Sequence, residues 1–426
     1  MKKEMEEYFD RLWPLNRSLT GDGNRETLKV ISELVDLKIK EVPSGTQCFD
    51  WTVPPEWNVK EAWIKDGAGR KIVDFAENNL HLMGYSQGFS GKMSLAELLP
   101  HLHSIPDQPD VVPYLTSYYS PSWGFCVSQK FLEGLKEGIY EVLIDASHNP
   151  KGSMTVAEAV LKGRSEKEIL ISTYICHPSM ANNELSGPIV SAFLYRLLKG
   201  DSDRHFSVRF LYVPETIGAV WYLHEHGERL KSDLIAGYVL TCIGDTGMFT
   251  YKRSRTGNSL ADRAAEYVLE SSGVDHNIEY FFPTGSDERQ YCSPGFNLPV
   301  GSLMRTRYGK YGEYHTSADN KNFISFESME ESAKMCHRIV NTLMINGRYE
   351  NLMPHCEPQL GKRGLYPSVG SRKDTAEKVE AMMWTLNMSD GTSDLIRISE
   401  LSGIPVEVLH NSARTLEDAK LLKRID

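Results

Sequence analysis

The segment ILISTYICHPSMANNELSG, residues 169–187, decides the fold that we expect for this chain. It starts with an apolar, β-branched run ending at Cys176, which is too short for a helix and typical of a strand buried on both faces. His177 follows this run directly, Pro178 ends the strand, and a helical pattern begins after Gly187. The segment therefore predicts a strand, a loop and a helix, with His177 at the carboxyl end of the strand. Open α/β sheets bind their ligands at such ends.

Composition excludes several classes of protein. The chain has 426 residues, which is too long for one ordinary core, and its 41% hydrophobic and 24% charged residues are typical of a globular protein. The net charge of −10 argues against binding to nucleic acid or to an anionic membrane. No apolar run approaches the length of a membrane span, and the N-terminus does not resemble a signal peptide. The seven cysteines form no close pairs, so we expect a cytoplasmic protein with reduced thiols.

Changes in sequence pattern predict three domains. Residues 43–164 form short β-type runs between turn residues, which predicts an inserted all-β domain. Residues 1–42 and 165–371 predict one discontinuous α/β domain, because strands and helices alternate after residue 165 and imply a mostly parallel sheet flanked by helices. The end of this domain, residues 347–371, has little periodicity and is interpreted as a linker.

Residues 372–426 predict a winged helix-turn-helix domain. This region has eight basic and ten acidic side chains, whereas domains that read DNA normally have a basic face. We therefore expect a role in packing or protein contact and not in DNA binding. A protein partner or a second copy of the chain is the expected contact.

Side chains that could serve a metal ion follow the predicted strands. They are His177, Asn183, Glu184, Glu215, Asp245, Asp287 and His315. Two histidines, a carboxylate and an open position for water are the ligand set of a catalytic zinc. Another carboxylate could take the proton of that water. Other interpretations stay open, because acids at these positions could also cap a helix or stabilise a turn.

The order of these motifs resembles the zinc aminopeptidase family. A histidine comes first, then ANNELSG, a glutamate before a glycine, Ser-Asp, and finally Tyr-His-Thr. This family includes bacterial leucine aminopeptidases and, more distantly, glutaminyl cyclases. With the inserted β domain and the winged helix, the chain is most similar to bacterial aminopeptidase-like proteins named for polysaccharide biosynthesis.

The resemblance implies roles for individual residues. His177 matches the first zinc histidine of the family and His315 the last. Glu215 matches the carboxylate that acts as general base. Tyr314, next to the last ligand, matches a tyrosine that stabilises the oxyanion in some members.

The chain also departs from the family pattern. Asn183 stands where the family has a metal-bridging aspartate, and Thr216 stands where it has the second glutamate of a pair. Another ligand aspartate of the family falls near the position of Thr241. Three carboxylates of a two-metal centre are therefore missing, which predicts one zinc per chain.

We expect His177, Glu184 and His315 to hold this zinc. Asp287 or Asp245 could be a fourth ligand or could orient a histidine. The predicted function is a zinc-dependent hydrolase that resembles aminopeptidases and cleaves an amide bond. Its substrate would be a peptide or an amide-bearing sugar intermediate of polysaccharide biosynthesis. The alternative is a catalytically degraded, peptidase-fold binding or regulatory protein that contacts a partner through its winged helix.

Overall fold

The structure, a computed structural model, describes residues 1–201, 203–365 and 372–425. It divides into two compact units. The first comprises Met1–Asp262 and Gly273–Cys336, and the second comprises Arg263–Ser272 and His337–Asp426.

The helices of the described residues range from single turns to five turns or more. In chain order they are α1 (Lys2–Leu12), α2 (Asp22–Ile31), α3 (Leu95–Leu98), α4 (Gln129–Glu133), α5 (Ser186–Lys199), α6 (Ile217–Asp233), α7 (Leu260–Ser272), α8 (Glu288–Tyr291), α9 (Phe326–Ile345), α10 (Arg372–Met388), α11 (Leu395–Ser402) and α12 (Val406–Asp418).

The strands alternate with these helices after the first 160 or so residues. In chain order they are β1 (Lys38–Pro43), β2 (Gln47–Cys48), β3 (Trp51–Thr52), β4 (Glu56–Lys65), β5 (Lys71–Asp74), β6 (Phe89–Ser94), β7 (Leu102–His103), β8 (Phe125–Cys126), β9 (Ile139–Asn149), β10 (Ser153–Leu161), β11 (Glu168–Tyr174), β12 (Ser207–Val213), β13 (Leu234–Leu240), β14 (Phe249–Lys252), β15 (His276–Glu279), β16 (Val300–Met304), β17 (Arg348–Asn351), β18 (Asp390–Asp394) and β19 (Leu422–Arg424).

An eight-stranded sheet forms the centre of the first unit, with the order β1-β10-β12-β11-β13-β16-β14-β15. The four central strands β12, β11, β13 and β16 are parallel, whereas β10 joins β12 in the antiparallel direction. Every residue of β11 and β12 is buried, as expected for strands covered by helices on both faces. The predicted α/β class with a mostly parallel sheet is therefore confirmed.

Helix α5 begins close to the sheet because Gly187 has no side chain. A Cβ atom at this position would overlap with the Leu240 carbonyl oxygen and the Thr173 hydroxyl. The close approach places the loop between β11 and α5 directly over the carboxyl ends of the central strands.

The predicted β segment contains a separate four-stranded sheet with the order β5-β4-β9-β6. The next strand, β10, belongs to the eight-stranded sheet although it falls within the predicted bounds of the insert. One hydrophobic cluster includes Trp57 and Phe125 of the β segment together with Leu170 and Leu211 of the central strands. The β segment and the large sheet therefore share a continuous core.

The second unit has the elements of a winged helix-turn-helix. Strands β18, β17 and β19 form an antiparallel sheet beside α10, α11 and α12. Asp394 caps α11 by accepting a hydrogen bond from the Arg397 backbone, and Gly403 ends this helix in the left-handed conformation. Strand β17 lies within residues 347–371, which we interpreted as a linker from their weak periodicity.

In the described ranges, none of the helices combines the length and the apolar character needed to cross a membrane.

Candidate metal centre

His177 lies three residues beyond the end of β11, at the carboxyl edge of the sheet. Its Nδ1 is 2.9 Å from Oε2 of Glu184, which belongs to a π-helical turn at Ala181–Leu185. An ionised carboxylate can only accept a hydrogen bond, so pairing with Glu184 in this form assigns the proton to Nδ1 and leaves the electron pair on Nε2. Glu184 thus fixes the ring orientation and the tautomer of His177.

A buried arginine supports this pair from the N-terminal segment. The Arg17 Nε atom donates to the His177 carbonyl oxygen at 3.0 Å and lies 3.6 Å from Oε1 of Glu184. Burial raises the pKa of Glu184, and the charge of Arg17 opposes that rise. The ion pair is fully buried, so Arg17 and Glu184 depend on each other for charge compensation.

His315 faces the same region from the loop before α9. The centroids of its ring and the His177 ring are 5.5 Å apart. Burial lowers the pKa of both histidines to about 3, so both imidazoles are neutral at physiological pH. Within the part of the chain that the structure describes, the buried Nε2 atom of His315 has no hydrogen-bond partner.

Two carboxyl groups complete this side of the site. Glu215 follows β12, and its Oε2 atom lies 3.6 Å from Nε2 of His177. Burial and the neighbouring charge of Asp287 raise the pKa of Glu215 well above its usual value. Burial also raises the pKa of Asp287 to about 7, and one of its oxygens, Oδ2, has no hydrogen-bond partner among the described residues.

A strained residue links these carboxyl groups to the cavity wall. Thr216 has a φ angle of 65°, which is rare for a β-branched residue and costs on the order of 1–3 kcal/mol. In this conformation its N–H donates to Asp287 Oδ1 at 2.7 Å, and its hydroxyl accepts a hydrogen bond from Arg289 at 2.8 Å. One residue therefore positions both Asp287 and Arg289.

Neutral side chains occupy the other side of the site. The Tyr174 hydroxyl hydrogen-bonds with Thr241, and Asn183 Nδ2 donates to the same hydroxyl at 3.0 Å. The Thr241 hydroxyl in turn donates to the Asn183 carbonyl oxygen at 3.0 Å. Asn183 and Thr241 are the positions where the family resemblance implies carboxylates, and here they form a neutral network.

Another group of possible ligand atoms is less suited to a cation than the Nε2 atoms of the two histidines. Ligand atoms of Cys176, His177 and Glu184 lie within 4.8 Å of one another. However, His177 and Glu184 already form a hydrogen bond, and the Arg17 guanidinium lies beside the same carboxylate. A metal at this position would meet a buried positive charge, so the Nε2 edges of the histidines are the better candidates.

Asp245 lies outside this group. Its carboxylate accepts hydrogen bonds from the Asn182 side chain, the Gly247 N–H, and the N–H and hydroxyl of Thr306. With both oxygens used in this way, Asp245 stabilises the loop after β13.

Tyr314 stacks on His315, with ring centroids 3.9 Å apart. It is not among the residues that line the adjoining cavity, whereas Tyr114 and Tyr118 are. The Tyr114 ring lies 5.1 Å from the His177 ring and 5.2 Å from the His315 ring, and its hydroxyl bonds to that of Tyr118 at 2.8 Å.

A cavity of about 670 Å³ opens over the two histidines and Glu215. Residues of the β segment form much of its wall. The lining residues are Leu19, Trp51, Tyr114, Leu115, Thr116, Tyr118, Tyr119, Cys176, His177, Glu215, Thr216, Ile217, Pro283, Arg289, Gln290 and His315.

Three contributors to the site were missed by the sequence analysis. Arg17 and Tyr114 are far from the strand-end motifs in sequence. The aromatic run around Tyr118 was the only feature of the sequence that pointed to Tyr114. Asp319 lies four residues after His315, and its carboxylate accepts hydrogen bonds from the Asn182 and Asn183 backbone. This contact joins the His315 loop to the π-helical turn.

Comparisons with known proteins identify the family of the chain and several proteins that it resembles. The family described as "Domain of unknown function (DUF4910)" matches residues 6–346, and a winged helix-turn-helix family matches residues 347–424. A protein of Clostridium acetobutylicum, named for polysaccharide biosynthesis and an aminopeptidase-like domain, is 44% identical over 422 residues. This alignment covers 99% of the present chain and 96% of that protein.

Solved structures show the same fold. A crystal structure from Clostridium acetobutylicum, described as that of a peptidase, has a TM-score of 0.91 at 43% identity and covers 100% of this chain and 96% of that chain. The zinc aminopeptidase BSAP from Bacillus subtilis has a TM-score of 0.59 at 11% identity and covers 80% of this chain and 94% of that chain. The predicted resemblance is confirmed. The chain belongs to the DUF4910 family and combines an aminopeptidase-like fold with a C-terminal winged helix-turn-helix domain.

Proposed function

We propose that this protein is a zinc-dependent hydrolase that binds one zinc ion per chain and cleaves an amide bond. The observation that carries this proposal is the pair of neutral, buried imidazoles. His177 has its Nδ1 atom fixed by Glu184, and the Nε2 atom of His315 lacks a hydrogen-bond partner among the described residues. Two such nitrogens and a carboxylate match the ligand set of a catalytic zinc.

Three residues would hold the metal. His177 and His315 would supply nitrogen atoms, and Asp287 would supply the buried oxygen that otherwise has no partner among the described residues. The ligand atoms of these three residues do not all lie within 4.8 Å of one another, so metal binding would draw them together. Zinc bound by such a set lowers the pKa of a bound water and polarises a carbonyl group. In this proposal Glu184 supports the centre by orienting His177, and the ligand role that we expected from the sequence stays a prediction.

Glu215 is the proposed proton acceptor. Its side chain is 24% exposed, lines the cavity and lies close to His177, so it can reach both the water and the substrate. Its raised pKa brings the carboxylate nearer to the range in which a general base works efficiently. After taking the proton of water, Glu215 would pass it to the leaving nitrogen. The Tyr114–Tyr118 hydroxyl pair lies beside the histidines and is better placed than Tyr314 to stabilise an oxyanion.

The proposed substrate is a peptide or an amide-bearing sugar intermediate. The aminopeptidase-like fold favours the first, and the name of the Clostridium acetobutylicum relative supports a role in polysaccharide biosynthesis. The cavity volume of about 670 Å³ suits a small molecule or a short peptide end.

A binding or regulatory role is the second candidate. The neutral network of Tyr174, Asn183 and Thr241 supports it, because the carboxylates that the resemblance implies for a second metal are replaced there. In that case the winged helix would contact a protein partner.

Metal analysis combined with activity separates the two functions. We expect one zinc per chain in the wild type and its loss in His177→Ala, His315→Ala and Asp287→Asn. Glu215→Gln should keep the zinc and lose activity toward aminoacyl p-nitroanilides or N-acetylated amino sugars by about 10²–10⁴-fold.

The matched control is His355→Ala, because His355 is exposed and lies outside the site. It should retain both zinc and activity. A wild type that takes up no zinc, or that takes it up without hydrolysing either class of amide, would favour the binding role.

A further inference from the structure

Arg289 is a cation in the cavity wall that forms no close ion pair among the described residues, although its charge opposes the rise in the pKa of Glu215 and of Asp287. It lines the same cavity as His177 and Glu215, and its side chain makes one hydrogen bond, to the Thr216 hydroxyl. Over the residues that the structure describes, no carboxylate oxygen lies within 4.0 Å of the Arg289 guanidinium.

The largely buried arginines of the first unit behave differently. Arg17 pairs with Glu184, Arg209 with Glu168, and Arg305 with Glu331. Each of these pairs neutralises a buried charge inside the protein. Arg289 instead presents its charge to the cavity, which leaves most of its five N–H donors available to a ligand.

A guanidinium group in a partly enclosed cavity selects for planar anions. Its fork of parallel N–H groups matches the two oxygens of a carboxylate, and such charge-assisted pairs are roughly twice as strong as neutral hydrogen bonds. The same charge disfavours a ligand that presents an ammonium group at this part of the wall.

Two exposed aromatic residues lie at the same cavity. Trp51 and Tyr119 are 39% and 50% exposed, and their rings meet edge to face with centroids 5.6 Å apart. Both line the cavity, so they offer an apolar surface beside the charged wall. Large aromatic side chains supply contact area for flat ligands at a small cost in conformational entropy.

We propose that Arg289 binds a carboxylate group of the ligand, while Trp51 and Tyr119 pack against the apolar face of the ring or chain that carries it. This inference deepens the proposed function, on which it rests for the reaction, by restricting the amide substrates to acidic ones. The shared chemistry is a carboxylate, which an acidic sugar or an acidic amino acid can supply.

Matched ligand pairs test this proposal by calorimetric binding measurements. Glucuronic acid and glucuronamide form the sugar pair, and glutamate and glutamine form the amino-acid pair, so each pair exchanges a carboxylate for a neutral amide. We expect the wild type to bind the acid of at least one pair about tenfold or more tightly than its amide. The pair that shows the preference identifies the source of the carboxylate.

Arg289→Gln should abolish the preference, and Arg289→Lys should keep part of it, because lysine retains the charge but not the fork. The control is Arg70→Gln, which removes an arginine that is 79% exposed and bonded to Asp66. Arg70→Gln should preserve the wild-type preference. Thermal unfolding of each variant verifies that it folds.

All titrations are repeated on chelator-treated protein, because a bound metal would also attract carboxylates. Equal binding of acid and amide by the wild type, or an unchanged preference in Arg289→Gln, would overturn the inference. A preference that persists without metal or hydrolysis would support it even if the hydrolase proposal fails. If the protein binds zinc and hydrolyses amides but does not prefer acids over amides as ligands, the inference about Arg289 is overturned and the proposed function stands.

Discussion

The two sides of the site at the carboxyl edge of the sheet differ in charge. On one side, His177 and His315 are accompanied by the titratable groups of Glu184, Glu215 and Asp287. On the other side, the Tyr174 hydroxyl lies between Asn183 and Thr241, and all three groups are neutral.

The proposal of a single metal rests on this difference, because the family resemblance implies a two-metal centre and the neutral side chains stand where it implies carboxylates. A buried carboxylate needs a cation or several hydrogen-bond donors, and without them it costs several kcal/mol. The neutral network makes three hydrogen bonds without any cation, and over the described residues only the buried Asn183 Oδ1 atom in it has no partner. Three predictions test whether the two sides differ in this way.

The largest effect should come from the charged side. Glu184→Gln keeps a hydrogen-bond acceptor for His177 but leaves Arg17 as an uncompensated buried charge. We expect the free energy of unfolding, measured with urea, to fall by about 3–5 kcal/mol. Lys321→Ala removes exposed ion pairs to Asp10 and Glu6, and should cost about 1 kcal/mol or less. Similar losses in both variants would contradict the proposed dependence of Arg17 on Glu184.

A smaller effect should come from the neutral side. Asn183→Asp places a charge beside Tyr174 and Thr241, and in the presence of a chelator it should lower the free energy of unfolding by about 2–3 kcal/mol. Added zinc should restore part of this loss if the position corresponds to a second metal site. Asn183→Leu is the neutral control, and zinc should not restore its stability. If zinc does not raise the free energy of unfolding of Asn183→Asp, the neutral network does not correspond to a second metal site.

The smallest effect is a change in pH dependence. Burial lowers the pKa of His177 and His315 from 6.5 to about 3, so between these values the unfolded chain binds protons that the folded chain does not. Their contribution to stability is complete above pH 6.5 and is lost as the pH falls towards 3. Each histidine adds up to about 1.4 kcal/mol per pH unit to this loss. In chelator-treated protein, His315→Gln should reduce the slope by that amount in urea titrations between pH 6 and pH 4. An unchanged slope would show that His315 is protonated in the fold.

Much of the fold could be predicted because its signals are local. The apolar run of β11 and the long periodic pattern of α9 are each complete within one segment of the sequence. The sequence analysis proposed His177 and Glu215 for the same reason, since each lies within three residues of the end of a buried strand.

The partners of these residues could not be predicted from sequence in the same way. Arg17 reaches Glu184 across more than 160 residues, and no local pattern in the N-terminal segment indicates this contact. Whether Glu184 binds a metal or orients His177 depends on which ring nitrogen it contacts, and side-chain rotation decides that. Strand β17 was missed because it is four residues long and pairs with distant strands.

The strained backbone at Thr216 links stability to ligand choice. Glycine at this position would relax the positive-φ conformation, and in an ordinary loop it would be a stabilising replacement. Here it would also remove the hydroxyl that accepts a hydrogen bond from Arg289. Directed evolution for thermal stability would therefore select a more stable protein whose cavity is less selective for its ligand. A screen at this position has to measure thermal stability and ligand preference together.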